Sequence, residues 1–308
     1  MQPGPARTLS IVAAIVAGSL LPQLDALTGA VRWFVMAMLF LVFLQTRWSR
    51  SALHRSHVWL LLANLALGFV AWGLGWLVGG RDVALAGFFT GITPTATAAP
   101  VIIGFLRGRV DYVVAAFLIT NFSITALLPL MLPLVLGRAD LHAFGQVLAS
   151  VTLVVFVPML AAFLVRRAHP PATQWPARLR NVSFALWVLA ILIICGHASA
   201  FLRTQTDAPL RVVLQVVAVS IAVCVASFAL GRWIGGRDFP REASQSLGQK
   251  NTMFTLYLAL TYANPIVALG PTFYVLWHNL WNSWQLHRVP PLAAQQEADP
   301  LSPGVRKP

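Results

Sequence analysis

The chain has 308 residues, 58% of them hydrophobic and 10% charged, and its formal net charge is +13. Soluble domains usually carry about a quarter charged residues, so this composition excludes an ordinary soluble protein and indicates a membrane protein. The basic residues lie between apolar runs and do not cluster on one face, which favours loops anchored at a membrane over nucleic-acid binding. Cys195 and Cys224 lie inside apolar runs, which argues against a disulfide framework or a cysteine metal motif.

Apolar runs between polar breaks predict ten membrane-spanning helices, because a hydrocarbon core of about 30 Å is crossed by about 20 helical residues. The first run ends at Pro22, Gln23 and Leu24, which do not form a signal-peptide cleavage site. The segment 289–308 is Pro-rich and polar, and we expect it to be a disordered tail. The predicted spans are 8–27, 30–47, 57–79, 83–106, 110–136, 143–165, 178–201, 210–234, 240–262 and 264–286.

The distribution of Arg and Lys over the loops predicts the orientation. With ten spans, sixteen of the 22 basic residues would lie on the side of both termini and five on the other side; the remaining one, Lys250, lies inside a span. Cytoplasmic loops carry an excess of Arg and Lys, so both termini are expected in the cytoplasm.

The tetrapeptide Gly-Gly-Arg-Asp occurs twice, at 79–82 and at 235–238. Each copy ends an apolar run and precedes a run that polar residues interrupt. With five spans per half, the second half would enter the membrane with opposite polarity, so the copies would lie on opposite sides. The sequence therefore predicts an inverted repeat, with five helices at 1–137 and five at 138–288. A chance recurrence of a common loop tetrapeptide is the alternative.

Spans four and nine are predicted to be broken helices. Span four contains Pro94, which lacks a backbone donor and clashes with the preceding turn, and Pro100 less than two turns later. Span nine contains Gly248, which permits unwinding, in a largely polar stretch at 244–252. Two broken helices at matching places indicate a transporter with its site between them, although a buried proline kink would also explain span four.

Lys250 is the only Lys or Arg well inside an apolar span. A cation in the bilayer costs several kcal/mol unless it is solvated or paired, so such residues usually mark function. All nine acidic residues lie in loops, at span ends or in the tail. Either an anionic ligand supplies the counter-charge, or the amine is neutral for part of a cycle. The alternative is a lysine near the interface whose side chain snorkels to water.

Polar residues on spans five and ten are candidates for lining a site or for packing between helices. Asn121 and Thr125 share one face of span five, at the spacing used for hydrogen bonds between helices. The full set is Thr120, Asn121, Ser123 and Thr125 on span five, and His278, Asn279, Asn282 and Ser283 on span ten.

At these residues the chain resembles the bile acid:sodium symporter family, bacterial members in particular. Pro94-Thr95-Ala96-Thr97-Ala98-Ala99-Pro100-Val101 stands where the family has roughly Pro-Gly-Gly-Thr-Ala-Ser-Asn-Val. Ser246-Leu247-Gly248-Gln249-Lys250-Asn251 stands where it has roughly Glu-Val-Gly-Met-Gln-Asn, and His278-Asn279 resembles its His-Asn pair.

The resemblance implies an all-α polytopic protein of the bacterial inner membrane, with two crossing broken helices. A core bundle would cover about 57–137 and 210–286, and a panel bundle about 8–47 and 143–201. Organic anions, such as bile acids or small carboxylates, would be taken up with sodium, and no other cofactor is expected. The substrate side would contain Thr97, Asn251, His278 and Asn279. The ion or coupling site would draw on Ser246, Gln249, Lys250, Asn121, Ser123 and Thr125.

The departures from the family fall at the sodium ligands. Ala99 and Pro100 replace its Ser-Asn pair in span four, and Ser246 and Lys250 replace its Glu and Gln in span nine. The chain thus lacks the carboxylate that would balance a sodium ion and has an ammonium beside the gap. We therefore hypothesise a sodium-independent member, proton-coupled or facilitative, in which the ammonium occupies the place of sodium.

Three other functions compete with uptake. An efflux carrier of related fold would have the same sequence features, since direction is not encoded in them. An intramembrane enzyme would rest on Ser246 and Lys250, one turn apart, as a Ser-Lys dyad. A signalling module would need a domain, and the tail is too short to supply one.

Overall fold

The structure, a computed structural model, describes residues 3–45, 52–96, 98–137, 141–204 and 210–288. The regular elements in these ranges are all helical. A π-helical turn, Thr152–Phe156, joins α6 to α7, and 3-10 turns lie at Pro22–Leu27 and Pro170–Gln174. The α-helices are α1 (Pro3–Leu20), α2 (Thr28–Gln45), α3 (Ser56–Ile92), α4 (Ala98–Phe105), α5 (Val110–Val135), α6 (Leu141–Val151), α7 (Val157–Ala168), α8 (Trp175–Arg178), α9 (Arg180–Thr204), α10 (Leu210–Gly235), α11 (Pro240–Gly248), α12 (Thr252–Tyr262) and α13 (Pro265–His287).

The prediction of an all-α membrane protein is confirmed. Within the described residues, six helical stretches are long and apolar enough to cross a membrane. Helix also lies at each of the ten predicted spans, while the number of crossings and the orientation stay predictions. The six stretches are Pro22–Leu44, Ser56–Ile92, Val110–Val135, Phe144–Ala168, Asn181–Phe201 and Leu210–Gly235. The predicted tail lies outside the described residues.

The first Gly-Gly-Arg-Asp copy is the turn of a helical hairpin within α3. Gly80 has φ 76° and ψ −157°, a conformation that glycine adopts without steric cost, and it reverses the chain. Small residues then let the two arms touch. A Cβ on Gly75 would lie 2.5 Å from the Cα of Ala84, and one on Gly91 would lie 2.6 Å from the carbonyl oxygen of Leu67. Such seams are common where membrane helices pack closely.

The second copy forms the same kind of turn between α10 and α11. Gly236 has φ 59°, so the second glycine takes a positive φ in both copies. A Cβ on Gly231 would lie 2.6 Å from the carbonyl oxygen of Ala243, and the Ser244 hydroxyl donates to the carbonyl of Phe228 at 2.8 Å. The repeated tetrapeptide thus encodes a repeated hairpin, in which a long arm is followed by an arm that stops at a helix break.

Packing divides the helices into two groups. One group contains α3, α5, α10, α11, α12 and α13, and the other contains α1, α2, α7 and α9. The groups meet where α13 contacts α1 and α9, where α12 contacts α2, and where α5 contacts α6, which continues through the π-turn into α7. The largest apolar cluster runs across this junction, from Val35 on α2 to Ile124 on α5 and Leu258 on α12. The site described below lies at the same junction.

Candidate functional site

The two helix breaks meet in the protein interior. The second arm of α3 ends at Ile92 and α4 begins at Ala98, while α11 ends at Gly248 and α12 begins at Thr252. Between them, Thr95 and Lys250 form an antiparallel backbone bridge. The amide of Ala96 donates to the carbonyl of Gln249 at 2.7 Å, and the amide of Asn251 donates to the carbonyl of Pro94 at 2.8 Å. Each break therefore satisfies backbone groups that the other exposes, which a nonpolar environment requires.

Polar residues of α5 hold the first break. The Asn121 amide nitrogen donates to the carbonyl of Thr95 at 2.9 Å and to the carbonyl of Phe117 at 2.8 Å. The Thr120 hydroxyl accepts from the Thr95 amide at 3.2 Å. The predicted alternative of simple interhelical packing therefore describes only part of their role, since they bond directly to unwound backbone.

Residues of α13 hold the second break. The Tyr274 hydroxyl donates to the carbonyl of Gly248 at 2.7 Å. The Asn282 amide donates to Gln249 Oε1 at 2.6 Å and accepts from the amide of Gln245 at 3.0 Å. These side chains are buried, so the carboxamide chain fixes the backbone at the end of α11.

The Lys250 side chain is buried, with 1% of its surface exposed. Its ammonium donates to Asn64 Oδ1 at 2.6 Å, to the carbonyl of Gly91 at 2.9 Å and to the carbonyl of Thr93 at 3.1 Å. The burial contradicts a snorkelling side chain. All three acceptors are neutral oxygens, so the cation is solvated by the protein without a carboxylate partner.

A carboxylate does lie two turns before the second break, at Glu242 in the first turn of α11. It is buried and accepts from the backbone amide of Arg109 at 2.8 Å. The exposed Arg109 guanidinium bonds Asp111 at 2.9 Å, and this hydrogen bond raises the pKa of Arg109. Glu242 thus fixes the loop before α5, while the Lys250 ammonium bonds other oxygens.

A narrow crevice with a cavity volume of about 10 Å³ lies beside the paired breaks. Its polar wall brings together three predicted site residues, Asn121, Thr125 and Asn251. Asn251 is the N-cap residue of α12, yet its side chain makes no capping hydrogen bond. The apolar lining comes from α2, α5, the π-turn, α7 and α12 and consists of Leu39, Phe43, Phe122, Val155, Phe156, Met159 and Phe254.

Other predicted residues lie away from this crevice. His278 is buried on α13, between Trp187 of α9 and Tyr274, and within the described chain neither ring nitrogen has a hydrogen-bond partner. The Asn279 amide donates to the Val275 carbonyl of its own helix at 2.7 Å. Neither residue lines the crevice. Thr97 lies outside the described residues.

The remaining predicted residues have structural contacts. The Ser246 hydroxyl donates to the Glu242 carbonyl at 2.8 Å, while its own carbonyl accepts from the Thr95 hydroxyl at 2.5 Å. Ser123 is half-buried on α5. Pro100 was predicted to break the helix, but it lies in the first turn of α4, where a missing amide donor costs no helical hydrogen bond. The break therefore comes before it.

Sequence reasoning missed Asn64 and Tyr274. Asn64 is an isolated polar residue inside the apolar run of span three, and that isolation is a usable signal. Tyr274 carries no such signal, because tyrosines at membrane interfaces are common. Its hydrogen-bond partner at the second break, the Gly248 carbonyl, is 26 residues away in the chain.

Two comparisons with known proteins do not assign the chain to a family. A scan of protein-family models matched none of them. A search of curated proteins also found no match. Fold and site thus define an all-α membrane protein with two paired helix breaks, and the family resemblance stays a prediction.

Proposed function

We propose that this chain is a secondary active transporter of organic anions that works by alternating access, as the resemblance to bile acid:sodium symporters implies. The observation that carries the proposal is the antiparallel pairing of two helix breaks beside a crevice lined by Asn121, Thr125 and Asn251. Unwound backbone at the middle of paired repeats is the usual place for a transporter's substrate.

The crevice suits an anion with an apolar body. Two helices, α4 and α12, begin at the breaks, and helix N-termini carry partial positive charge. Asn251 offers an amide donor at one of these N-termini because its side chain does not cap the helix. Four phenylalanines, a leucine, a valine and a methionine supply the apolar lining. The substrate class that this lining favours is a small or medium carboxylate with a hydrocarbon body, for which the crevice would have to widen.

Relative motion of the two helix groups would open and close this crevice. One wall belongs to α2, the π-turn and α7, and the facing wall belongs to α5 and α12. Π-turns are frequent at functional sites, and this one lies just before Pro158, whose missing amide leaves the carbonyl four residues earlier without its helical donor. Rocking of one group against the other would expose the crevice to each side in turn.

The surroundings of Lys250 support the proposal of sodium independence. Its ammonium already fills the oxygen ligands offered by Asn64, Gly91 and Thr93. With Ser246 in place of the family's carboxylate, a second cation there would lack a counter-charge. We therefore extend the proposal to a carrier that is proton-coupled or facilitative.

The membrane arrangement is part of the same proposal. Ten spans, an inverted repeat at 1–137 and 138–288 and cytoplasmic termini in a bacterial inner membrane would follow from the charge distribution. The shared turn at Gly80 and Gly236 supports the repeat, since equivalent positions of a duplicated unit keep equivalent conformations. The two packed helix groups support a core and a panel.

Uptake into proteoliposomes tests the proposal. Radiolabelled carboxylates of increasing hydrocarbon size would be offered with sodium, and again with sodium replaced by choline. If uptake continues when choline replaces sodium, the carrier is independent of sodium. If uptake occurs only with sodium, sodium independence is refuted. Asn251→Leu should raise the KM at least tenfold, while Thr261→Val, on the same helix and bonded to its Tyr257 carbonyl, should leave it unchanged. If the two variants have the same KM, the crevice does not bind the substrate.

The geometry gives the enzyme alternative no support. A Ser-Lys dyad needs the lysine amine to accept the serine proton. The Ser246 hydroxyl donates to the Glu242 carbonyl, and the Lys250 ammonium has three donors bonded to three other oxygens.

A further inference from the structure

Arg32 lies one turn into α2, inside the apolar stretch Pro22–Leu44. Its neighbours Val31 and Val35 are both 1% exposed, so this side of α2 packs against the protein. The opposite side carries Trp33, which is 65% exposed. Arg32 itself is half-buried. Ionisable residues placed in this way within membrane helices usually mark function.

The Arg32 guanidinium has an unbonded buried atom. Its Nε has no hydrogen-bond partner, and the two ion pairs within the described residues do not include it. Asp25, which precedes α2, pairs with His197 instead. Asp82, on the turn of the α3 hairpin, accepts from the amide of Asn264, just after α12. Because buried polar atoms are nearly always hydrogen-bonded, the unbonded Nε points to a ligand that can accept from it.

The surroundings of Arg32 continue the walls of the crevice. Leu39, which lines the crevice, follows Arg32 by two turns of α2, about 10 Å along the helix axis. Tyr262 ends α12 and lies close enough to interact with the charge of Arg32. Its hydroxyl donates to the Gln146 carbonyl of α6 at 2.9 Å. The arginine and the crevice therefore lie along one junction, formed by α2, α12 and the segment from α6 to α7.

Two hydroxyl hydrogen bonds close the junction near Arg32. One is the bond of Tyr262 to α6, and the other joins the hydroxyls of Tyr257 and Ser150 at 3.1 Å. Both connect α12 to α6, which continues through the π-turn into α7 of the other helix group. Under the proposed function these bonds would break when the two groups rock apart, and the Tyr262 hydroxyl could then donate to a ligand.

We propose that Arg32, with the Tyr262 hydroxyl beside it, forms a second binding site for the substrate carboxylate, at the end of this junction away from the crevice. Nε and a neighbouring Nη of a guanidinium present two parallel N–H donors, which match the two oxygens of one carboxylate. The Tyr262 hydroxyl supplies a third bond once it leaves the Gln146 carbonyl. The inference rests on the proposed function, since it takes the group junction as the path of a carboxylate.

Binding of cyclohexanecarboxylate and hexanoate, as choline salts, tests the proposal by titration calorimetry. The protein would be held in nanodiscs of phosphatidylcholine, whose headgroups carry no net charge. Arg32→Gln should weaken binding at least about tenfold, since hydrogen bonds to charged groups are the strong ones. Arg32→Lys keeps the charge but cannot form the bidentate pair, so we expect a smaller loss of about threefold to fivefold.

Two controls accompany this titration. Arg211→Gln removes the same charge from an exposed arginine in the first turn of α10 and should leave the affinity unchanged. Cyclohexanecarboxamide, the neutral counterpart of the first ligand, should not bind. Equal losses in Arg32→Gln and Arg211→Gln, or no binding of either carboxylate to the wild type, overturn the proposal.

The stability of Arg32→Gln separates a binding role from a structural one. Replacing a residue that holds helices together lowers the melting temperature, whereas replacing an unpaired charge in a binding site does not. Without ligand, Arg32→Gln should melt no more than about 2 °C below the wild type. A larger decrease, or a variant that does not fold, would show that Arg32 holds the fold and would overturn the proposal.

Uptake into proteoliposomes distinguishes this inference from the proposed function. If binding depends on Arg32 but neither carboxylate is taken up, the site is supported and transport is refuted. If uptake by Arg32→Gln has the wild-type KM, transport is supported and the Arg32 site is wrong. Asn251→Leu, in the crevice, should retain the binding that depends on Arg32, because the two places are separate.

Discussion

Gly91→Ala tests whether the hairpin seam of α3 positions the site. The new Cβ would lie 2.6 Å from the carbonyl oxygen of Leu67 and 2.7 Å from the Cα of Gly68. Both neighbours are backbone atoms and cannot rotate away. The two arms must therefore separate, and the Gly91 carbonyl moves away from the Lys250 ammonium.

The magnitude follows from two opposing effects. Overpacking of a close-packed seam costs about 1–3 kcal/mol. Replacing a helical glycine with alanine returns about 0.5–1 kcal/mol. Gly73→Ala on the same helix shares the second effect alone, because a Cβ there would meet no atom within 4 Å. The difference between the two variants therefore isolates the seam.

Thermal melting in detergent, read with a thiol-reactive dye, measures that difference. Cys195 and Cys224 are buried, at 3% and 5% exposed, and become reactive on unfolding. We expect Gly91→Ala to melt about 2 to 12 °C below Gly73→Ala, from about 2–4 °C per kcal/mol for proteins approaching this size. If Gly91→Ala melts as high as Gly73→Ala, the arms are not in contact at Gly91, and the convergence of oxygens on Lys250 needs another explanation.

Three further predictions concern the topology and the breaks. Single cysteines at Arg81 and Arg237, both exposed, should react with a membrane-impermeant maleimide from opposite sides of oriented vesicles; labelling from one side refutes the inverted repeat. Tyr274→Phe leaves the buried carbonyl that ends α11 without its donor and should cost about 1–3 kcal/mol in melting experiments, more than Tyr262→Phe, whose partner carbonyl lies near the surface. Asn121→Ala should lower stability and slow uptake together, because its amide holds the first break; slowed uptake at unchanged stability would assign Asn121 to substrate contact alone.

Local chemistry explains what the sequence predicts well. The turn at Gly80 and Gly236 needs a residue that tolerates positive φ, and a second glycine in a repeated tetrapeptide is such a residue. Pro94 forces an interruption, since it lacks a donor for the preceding turn, and the break is found there. The prediction that Pro100 breaks the helix is wrong, because the effect of a proline on a helix depends on where that helix begins. A proline in the first turn is tolerated, and the sequence does not fix that start.

Long-range pairing explains what was not predictable. The bridge between Thr95 and Lys250 joins segments more than 150 residues apart, so local pattern gives no register for it. The separation of His278 from Asn251 has the same origin. Both residues are polar positions in apolar runs, but which helix faces each of them depends on packing between groups, and α9 covers His278 with Trp187.

The charge of Lys250 and the unwinding of the helices depend on each other. A helix that stops inside a membrane leaves carbonyls that must find donors. Here the Ile92 carbonyl accepts from the Asn64 amide, and the Gly248 carbonyl accepts from the Tyr274 hydroxyl. The Gly91 and Thr93 carbonyls both accept from the Lys250 ammonium. In a carrier that relies on a free ion, such carbonyls are satisfied only while the ion is bound, and ion binding can then drive the cycle. In this structure the tethered Lys250 amine bonds the Gly91 and Thr93 carbonyls instead, so under the proposed function we expect these carbonyls to need no free sodium ion.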